Sequence, residues 1–283
     1  MKLNTKFKGY FLVFISVLFF SFMTLIVKLI TKNNNIPGVE VTFFRFLIGF
    51  IIIYSIKSIK KKKIVPVNKK ALWARAILNT LAVILFFVTI QLSTVTKANI
   101  YNLTYPIFVA IFAPFFLDEK LTLKKAFIVL LALIGTYLVV GFNFKEVGLG
   151  DITGILGGVV AGFAIISLRK ARLTDESFTI LYYLMKIGLV ITFFSFVWFF
   201  KIPSVYELLL LVSVGAVSFL GQFFITEGYK YISALGGSIL SSSRIFVAAI
   251  LSIIFLGELL KLNVIIGGTL IFLSVVLINL GTD

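Results

Sequence analysis

The sequence predicts an all-α integral membrane protein with ten transmembrane helices, arranged as two inverted repeats of five helices each. Three observations carry that expectation. The 283 residues are 60% hydrophobic and only 13% charged, with a mean hydropathy of +1.12. Soluble domains carry about 25% charged residues, and one soluble core of this size has no room for so much apolar side chain. Apolar runs long enough to cross about 30 Å of hydrocarbon recur along the chain. Finally, the sequence resembles itself at a spacing of 139 positions.

The ten runs are 9–30, 39–56, 71–91, 98–117, 125–142, 151–168, 178–200, 205–226, 234–256 and 262–280. None alternates as a lipid-facing β-strand does, so a barrel is excluded. Turn and cap residues separate them: Asn33-Asn34-Asn35 with Pro37-Gly38, Pro66 with Asn68, Thr122, Gly148 with Gly150, and Pro203-Ser204. The first run follows Lys2, Lys6 and Lys8, as in a signal peptide, but continues to Ile30 without a small-x-small cleavage site. It therefore reads as an uncleaved first span.

The formal net charge of +16 would suggest nucleic acid in a soluble protein. Its distribution argues against that. With the N-terminus inside, the cytoplasmic segments take Lys2, Lys6, Lys8, the run Lys57 and Lys60–Lys63, Lys69, Lys70, Arg75, Lys120, Lys124, Lys125, Arg169, Lys170, Arg172 and Lys230. The outer segments take only Lys32, Lys97, Lys145, Lys201 and Lys261. This bias sets both termini in the cytoplasm, for a multi-pass protein of the plasma (inner) membrane. The lysine run 57–63 becomes a topology signal in contact with lipid headgroups.

The composition also excludes chemistry. The chain has no Cys and no His, so disulfides, thiolate nucleophiles, iron–sulfur clusters, a Ser-His-Asp triad and the usual zinc and haem ligands are absent. No cofactor or metal is called for.

The internal repeat is clearest where 105–121 superposes on 244–260. Ala110 falls on Ala249, Ile111 on Ile250, Phe116 on Phe255, Leu117 on Leu256, Glu119 on Glu258 and Leu121 on Leu260. An acid ending an apolar run at the same place in both halves is more specific than the apolar matches. The two units are 9–142 and 150–280, joined by a linker over 143–150. Five helices is an odd number, so the second unit enters from the opposite side. Inverted repeats are the architecture by which many transporters gain two related conformations.

Phe43-Phe44-Arg45-Phe46 in the second span, Tyr105-Pro106-Ile107-Phe108 in the fourth, and Leu117-x-Glu119-x-Leu121 repeated as Leu256-x-Glu258-x-Leu260 together resemble the EamA-type repeat of the drug/metabolite transporter superfamily. The resemblance covers nearly the whole chain, once per half. It implies a ten-helix transporter working by alternating access. The second half departs from the family pattern in having Ile245 where a proline is usual, with Arg244 beside it.

Ionisable groups within the hydrocarbon are costly, roughly 2.5–3.5 kcal/mol each on insertion scales, and are candidates for function. Counting depth at about 1.5 Å per residue places Arg45 below the outer surface and Lys186 and Arg244 near the midplane, with no acid at matching depth. Arg244 closes a polar stretch, Gly236-Gly237-Ser238 then Ser241-Ser242-Ser243. Its guanidinium is suited to grip a carboxylate or phosphate with two hydrogen bonds. The matching positions in the first half are Asn99, Asn102 and Tyr105, with Pro106 freeing a backbone carbonyl one turn earlier. Gln222 and Asn79 are further buried polar groups. The candidate substrate-binding residues are therefore Arg244, Ser241, Ser238, Asn102, Asn99, Tyr105, Gln222, Lys186 and Arg45.

Bland readings compete for the remaining features. Gly154, Gly158 and Gly162 form a face suited to close helix packing. Glu119 and Glu258 read as structural, holding the turn that follows each. Lys28 snorkels outward or pairs with Glu40. The partners expected are a small organic solute, membrane lipid and, as an open option, a second copy of the chain; no nucleic acid is expected. The solute expected is a carboxylate-bearing metabolite such as an amino acid, with phosphorylated or other organic anions as the alternative. A passive channel and a membrane-embedded lipid-modifying enzyme are the rivals from other classes. The first would need rings of like polar residues, and the second clustered acids, His or a metal motif.

Overall fold

The computed structural model describes residues 2–31, 36–93, 95–140, 148–256 and 262–280. Among these residues there are twelve helices and no strand. They are α1 (Lys2–Thr31), α2 (Gly38–Ile59), α3 (Lys69–Leu92), α4 (Val95–Asn102), α5 (Tyr105–Phe116), α6 (Leu123–Val140), α7 (Leu149–Arg172), α8 (Ser177–Phe199), α9 (Val205–Gly228), α10 (Ala234–Ser242), α11 (Arg244–Leu256) and α12 (Leu262–Leu280). Eight stretches are long and apolar enough to cross a membrane, by length and composition; Leu262–Ile278 is a shorter apolar helix. Most of the linker, and Glu258, lie outside the described residues.

The sequence breaks become helix starts for identifiable reasons. Asn68 caps α3, its side-chain oxygen accepting from the Ala71 amide at 3.0 Å. At α9 the cap is reciprocal: Ser204 Oγ accepts from the Glu207 amide at 3.3 Å while Glu207 Oε2 accepts from the Ser204 amide at 2.8 Å. Each such cap satisfies amides that the first helical turn leaves unpaired.

Two of the ten runs read from the sequence are broken helices. The run 98–117 divides into α4 and α5 at Leu103-Thr104, and the run 234–256 into α10 and α11 at Ser243. The next helices begin at Tyr105 and Arg244.

α3 packs along α7, α1 along α9, α6 against α12, α2 against α8 and α9, and α5 against α10. Glycines set the closest approaches. A Cβ on Gly154 would meet the Tyr101 side chain at 2.4 Å, one on Gly158 the Tyr101 carbonyl at 2.7 Å, and one on Gly162 the Phe108 side chain at 2.8 Å. The glycine face of α7 thus draws it against the broken α4–α5 pair, and packing is its role. Gly135 and Gly267 make the matching close contact between α6 and α12, each Cβ position falling within 2.6 Å of the other's carbonyl. Large apolar side chains cover much of the outer surface, among them Phe115, Leu123, Phe194 and Trp198, as expected where the surrounding solvent is lipid.

Candidate substrate cavity

A cavity of about 460 Å³ lies inside the bundle, lined by α1, α2, α3, α4, α5, α7, α9, α10 and α11. Its walls follow helical periodicity. α1 contributes Ser16, Phe20, Met23, Thr24 and Val27; α2 contributes Gly38, Val41, Thr42 and Arg45; α3 contributes Arg75, Asn79, Ala82, Val83 and Phe86. These spacings of three, four and seven place each set on one face of its helix. The lining reaches Val27 and Gly38, the end of the bundle where α1 finishes and α2 begins.

Among the described residues three arginines line this space, Arg45, Arg75 and Arg244, and no carboxylate does. Arg45 and Arg244 share the ring of Phe20, their guanidinium carbons lying 5.7 and 5.9 Å from its centre. Arg45 also lies 6.0 Å from the Phe46 ring, and its Nε has no hydrogen-bond partner among the described residues. Aromatic faces attract a guanidinium without neutralising it. Arg244 donates to Asn102 Oδ1 at 3.5 Å, a long contact that leaves most of its fork available. Arg75 is almost fully buried; it donates to the Ala164 carbonyl and to Gln222 Oε1, both at 3.2 Å, and its Nε is unpartnered.

Seven of the nine residues singled out from the sequence meet at this cavity: Arg244, Ser241, Asn102, Asn99, Tyr105, Gln222 and Arg45. Ser238 lies behind the wall. Its carbonyl accepts from the Tyr105 hydroxyl at 3.0 Å and from Ser242 Oγ at 3.1 Å, so it supports the lining from behind. Lys186 does not line this cavity. It is exposed on α8, heading a stripe continued by Val190, Phe193, Phe194 and Val197, all exposed. Depth along the chain places a residue between the two faces of a membrane but says nothing about which way it points around the helix axis.

Arg75 is the residue the sequence reading missed. Its closeness to Lys69 and Lys70 assigned it to the cytoplasmic surface. A usable signal was present: Arg75, Asn79 and Ala82 stand four and three apart and form a polar, small-residue stripe on an otherwise apolar helix.

The ends of the bundle are held by other charged groups. Glu119 holds the start of α10 instead of the turn after it, accepting from the Ala234 amide at 2.7 Å and lying 3.9 Å from Arg169. Arg169 donates to the carbonyls of Tyr229 and Lys230 at 2.8 and 3.0 Å. Arg172 pairs with Glu227 at 3.3 Å. Asp175 accepts from the amides of Val67 and Asn68, securing the approach to α3. At the other end, Glu40 is buried and accepts from the Lys201 amide at 3.1 Å; the Lys28 side chain, its expected partner, lies outside the described residues.

A helical bundle with membrane-length apolar segments around an internal, largely apolar cavity into which a few polar and cationic side chains project is the build of a membrane transporter. The model of the EamA-like transporter family matches residues 7–141 and again 148–280, and the chain belongs to that family. Named relatives are transporters. The chain is 25% identical over 237 residues to the pseudopaline exporter CntI of Pseudomonas aeruginosa (strain UCBPP-PA14), covering 83% of this chain and 82% of that one. It is 27% identical to mouse (Mus musculus) solute carrier family 35 member G1, covering 87% and 71%. It is 29% identical to an uncharacterized transporter of Helicobacter pylori (strain J99), covering 98% and 96%. A solved structure titled only as the crystal structure of a protein shares the fold, with a TM-score of 0.81, 15% identity and 96% of both chains covered. The protein is therefore a multi-pass membrane transporter and not an enzyme.

Proposed function

We propose that this transporter moves a small, carboxylate-bearing organic metabolite across the cell membrane by alternating access. The observation that carries the reading is the cavity lined by Arg45, Arg75 and Arg244 with no carboxylate among its described lining residues. An unpaired guanidinium in low dielectric is far costlier than an apolar side chain in the same place. An anionic solute relieves that cost, and Arg offers it bidentate geometry. The binding residues in this reading are Arg244, Arg45 and Arg75 for the anion, with Asn79, Asn99, Asn102, Gln222, Ser241 and Tyr105 shaping the remainder. Compounds of amino-acid size are the first choice and phosphorylated metabolites the second.

Alternating access is supported by the difference between the two ends. The cavity extends toward the α1–α2 end, whereas Glu119, Arg169, Arg172 and Glu227 tie helices together at the opposite end. On the positive-inside count, the tied end is cytoplasmic and this conformer faces outward. Transport then requires those ties to release while the α1–α2 end closes. The pairing of α3 with α7 and of α1 with α9, together with the two breaks 139 positions apart, supports ten spans in two inverted repeats over 9–142 and 150–280.

Uptake into proteoliposomes tests the function. Saturable, stereospecific, trans-stimulated movement of a labelled carboxylate is expected; non-saturable flux indicates a channel, and preference for lipophilic cations overturns the anion assignment. A reporter fused after Asp283 should be cytoplasmic, and an external signal would show the span count to be wrong. Because the chain has no cysteine, single cysteines at Thr24 and Val27, which line the cavity and are partly exposed, can be labelled without background. Labelling from outside that slows when substrate is present is expected.

A further inference from the structure

We infer that the cavity selects solutes carrying two or more negative charges, and that Arg75 is the residue that sets this valence preference. The inference rests on the proposed anion transport and narrows it. Three arginines face one space of about 460 Å³ whose described lining residues include no acid. A monocarboxylate presents two oxygens and satisfies one guanidinium fork. Two cations would remain desolvated and unpaired, repelling each other across a medium that screens them poorly. A solute with two or three anionic groups removes that imbalance.

The three cations are not equivalent, which assigns their parts. Arg45 and Arg244 flank the same Phe20 ring within 6 Å of its centre and have little other engagement among the described residues: Arg45 Nε has no partner there and the Arg244 side chain has one hydrogen bond, at 3.5 Å. They form the pair that receives the first anionic group or the two ends of a short diacid. Arg75 is anchored, with the Ala164 carbonyl and Gln222 Oε1 fixing two of its nitrogens. Both partners are neutral, so its charge is oriented but uncompensated. A rigidly held charge costs no ordering when a ligand arrives, and its position measures where a second charge must be. The Gln222 amide, held by its oxygen, keeps its N–H groups for the ligand as well.

The same geometry disfavours a zwitterion. An ammonium group entering this space would find amide and hydroxyl oxygens as acceptors, without a carboxylate, beside three like charges. A diacid of the same size therefore outcompetes a neutral amino acid. The recognised class is a compact organic polyanion, whether its charges come from carboxylates or from phosphate.

The test is ligand-induced thermal stabilisation of the purified full-length protein at constant ionic strength, using propionate, succinate, propane-1,2,3-tricarboxylate and L-alanine. Each added carboxylate should tighten apparent affinity by about tenfold, the size of one charge-assisted hydrogen bond. Alanine should bind more weakly than succinate. In Arg75→Gln the succinate-to-propionate ratio should collapse toward unity, and in Arg75→Lys it should be retained in part. Inorganic phosphate tested at pH 6 and pH 8 separates the two sources of charge: stabilisation that strengthens with the second ionisation assigns the preference to phosphate as well, whereas no stabilisation by phosphate beside a rising carboxylate series assigns it to carboxylates. A flat wild-type series, with propionate as tight as succinate, overturns the inference and leaves anion transport standing. If no anion stabilises the protein, the proposed function itself fails. The wild-type series decides between these even if Arg75→Gln does not fold.

Discussion

The break between α4 and α5 and the break between α10 and α11 fall 139 positions apart, yet they are made by different chemistry. In the first, Pro106 sits in the opening turn of α5 and has no N–H, so the Asn102 carbonyl loses its helical partner. In the second there is no proline. Instead Ser238, Ser242 and Ser243 turn their hydroxyls back onto the carbonyls of Leu235, Ser238 and Leu240, at 2.8, 3.1 and 2.6 Å. Such back-bonding competes with the backbone ladder and bends helices. The two breaks also deliver different groups to the cavity. The first supplies acceptors, Asn102 Oδ1 among them, and the second supplies the cation Arg244. Similar helix geometry thus hosts complementary chemistry, and the Tyr105 hydroxyl links the breaks by donating to the Ser238 carbonyl.

The largest expected effect removes the cation that distinguishes the second break. Arg244→Ala should abolish transport while the protein remains folded and inserted, as judged by a monodisperse detergent-solubilised peak. Arg244→Lys should restore only part of the rate, because a single ammonium lacks the two-pronged geometry. Normal transport by Arg244→Ala would remove this site from the transport pathway.

Healing the breaks should show their different origins. Pro106→Ala supplies the missing N–H and lets α4 run into α5, displacing Tyr105 from Ser238. In the first turn of α5 a proline is tolerated, so its removal changes stability little. The variant should therefore be about as stable as wild type in thermal unfolding, yet transport several-fold more slowly. Ser243→Ala removes one neutral hydrogen bond, worth about 0.5–1.5 kcal/mol, and leaves two other serines bending the helix. Its initial rate should stay within about twofold of wild type. Equal losses in the two variants would mean that the breaks are made by the same means after all.

Much of this contrast was legible in the sequence, and the failures lie in what local pattern does not encode. Asn99, Asn102, Tyr105 and Arg244 were readable because proline, glycine and serine runs mark irregular helix, and irregular helix within a membrane lines cavities. The glycine face of α7 was readable because its period is that of a helix. Arg75 and Lys186 were misplaced because apolar runs fix depth and leave rotation about the axis open. Rotation is set by packing partners: α3 turns Arg75 inward against α7 and α9, whereas α8 buries Leu181, Leu184 and Met185 and thereby turns Lys186 out. Glu119 was recognised as structural, but its partner lies across the chain at Ala234, a distance that no local pattern encodes.

A smaller effect is expected at the link between the breaks. Tyr105→Phe removes the hydroxyl from the Ser238 carbonyl, which still accepts from Ser242. No buried acceptor is left without a partner, so the loss of stability should be about 1 kcal/mol. The transport rate should fall modestly, and the affinity for an anion should change less than in Arg244→Lys. An affinity loss matching Arg244→Lys would instead make the Tyr105 hydroxyl a direct ligand of the solute.

The smallest effect is expected at Lys186, the cation outside the cavity. Its neighbours four, seven, eight and eleven residues on are Val190, Phe193, Phe194 and Val197, so it belongs to an apolar face turned toward lipid. An ammonium there reaches along its own methylene stem toward the headgroups, which limits the cost of its position. Lys186→Leu replaces it with a side chain suited to hydrocarbon and leaves Arg45, Arg75 and Arg244 untouched. Transport rate and anion affinity should both remain within about twofold of wild type, while thermal stability rises slightly or stays level. Should Lys186→Leu lose transport as Arg244→Ala does, the ammonium must reach the solute in another conformation, and the division of cations between cavity and lipid face would have to be redrawn.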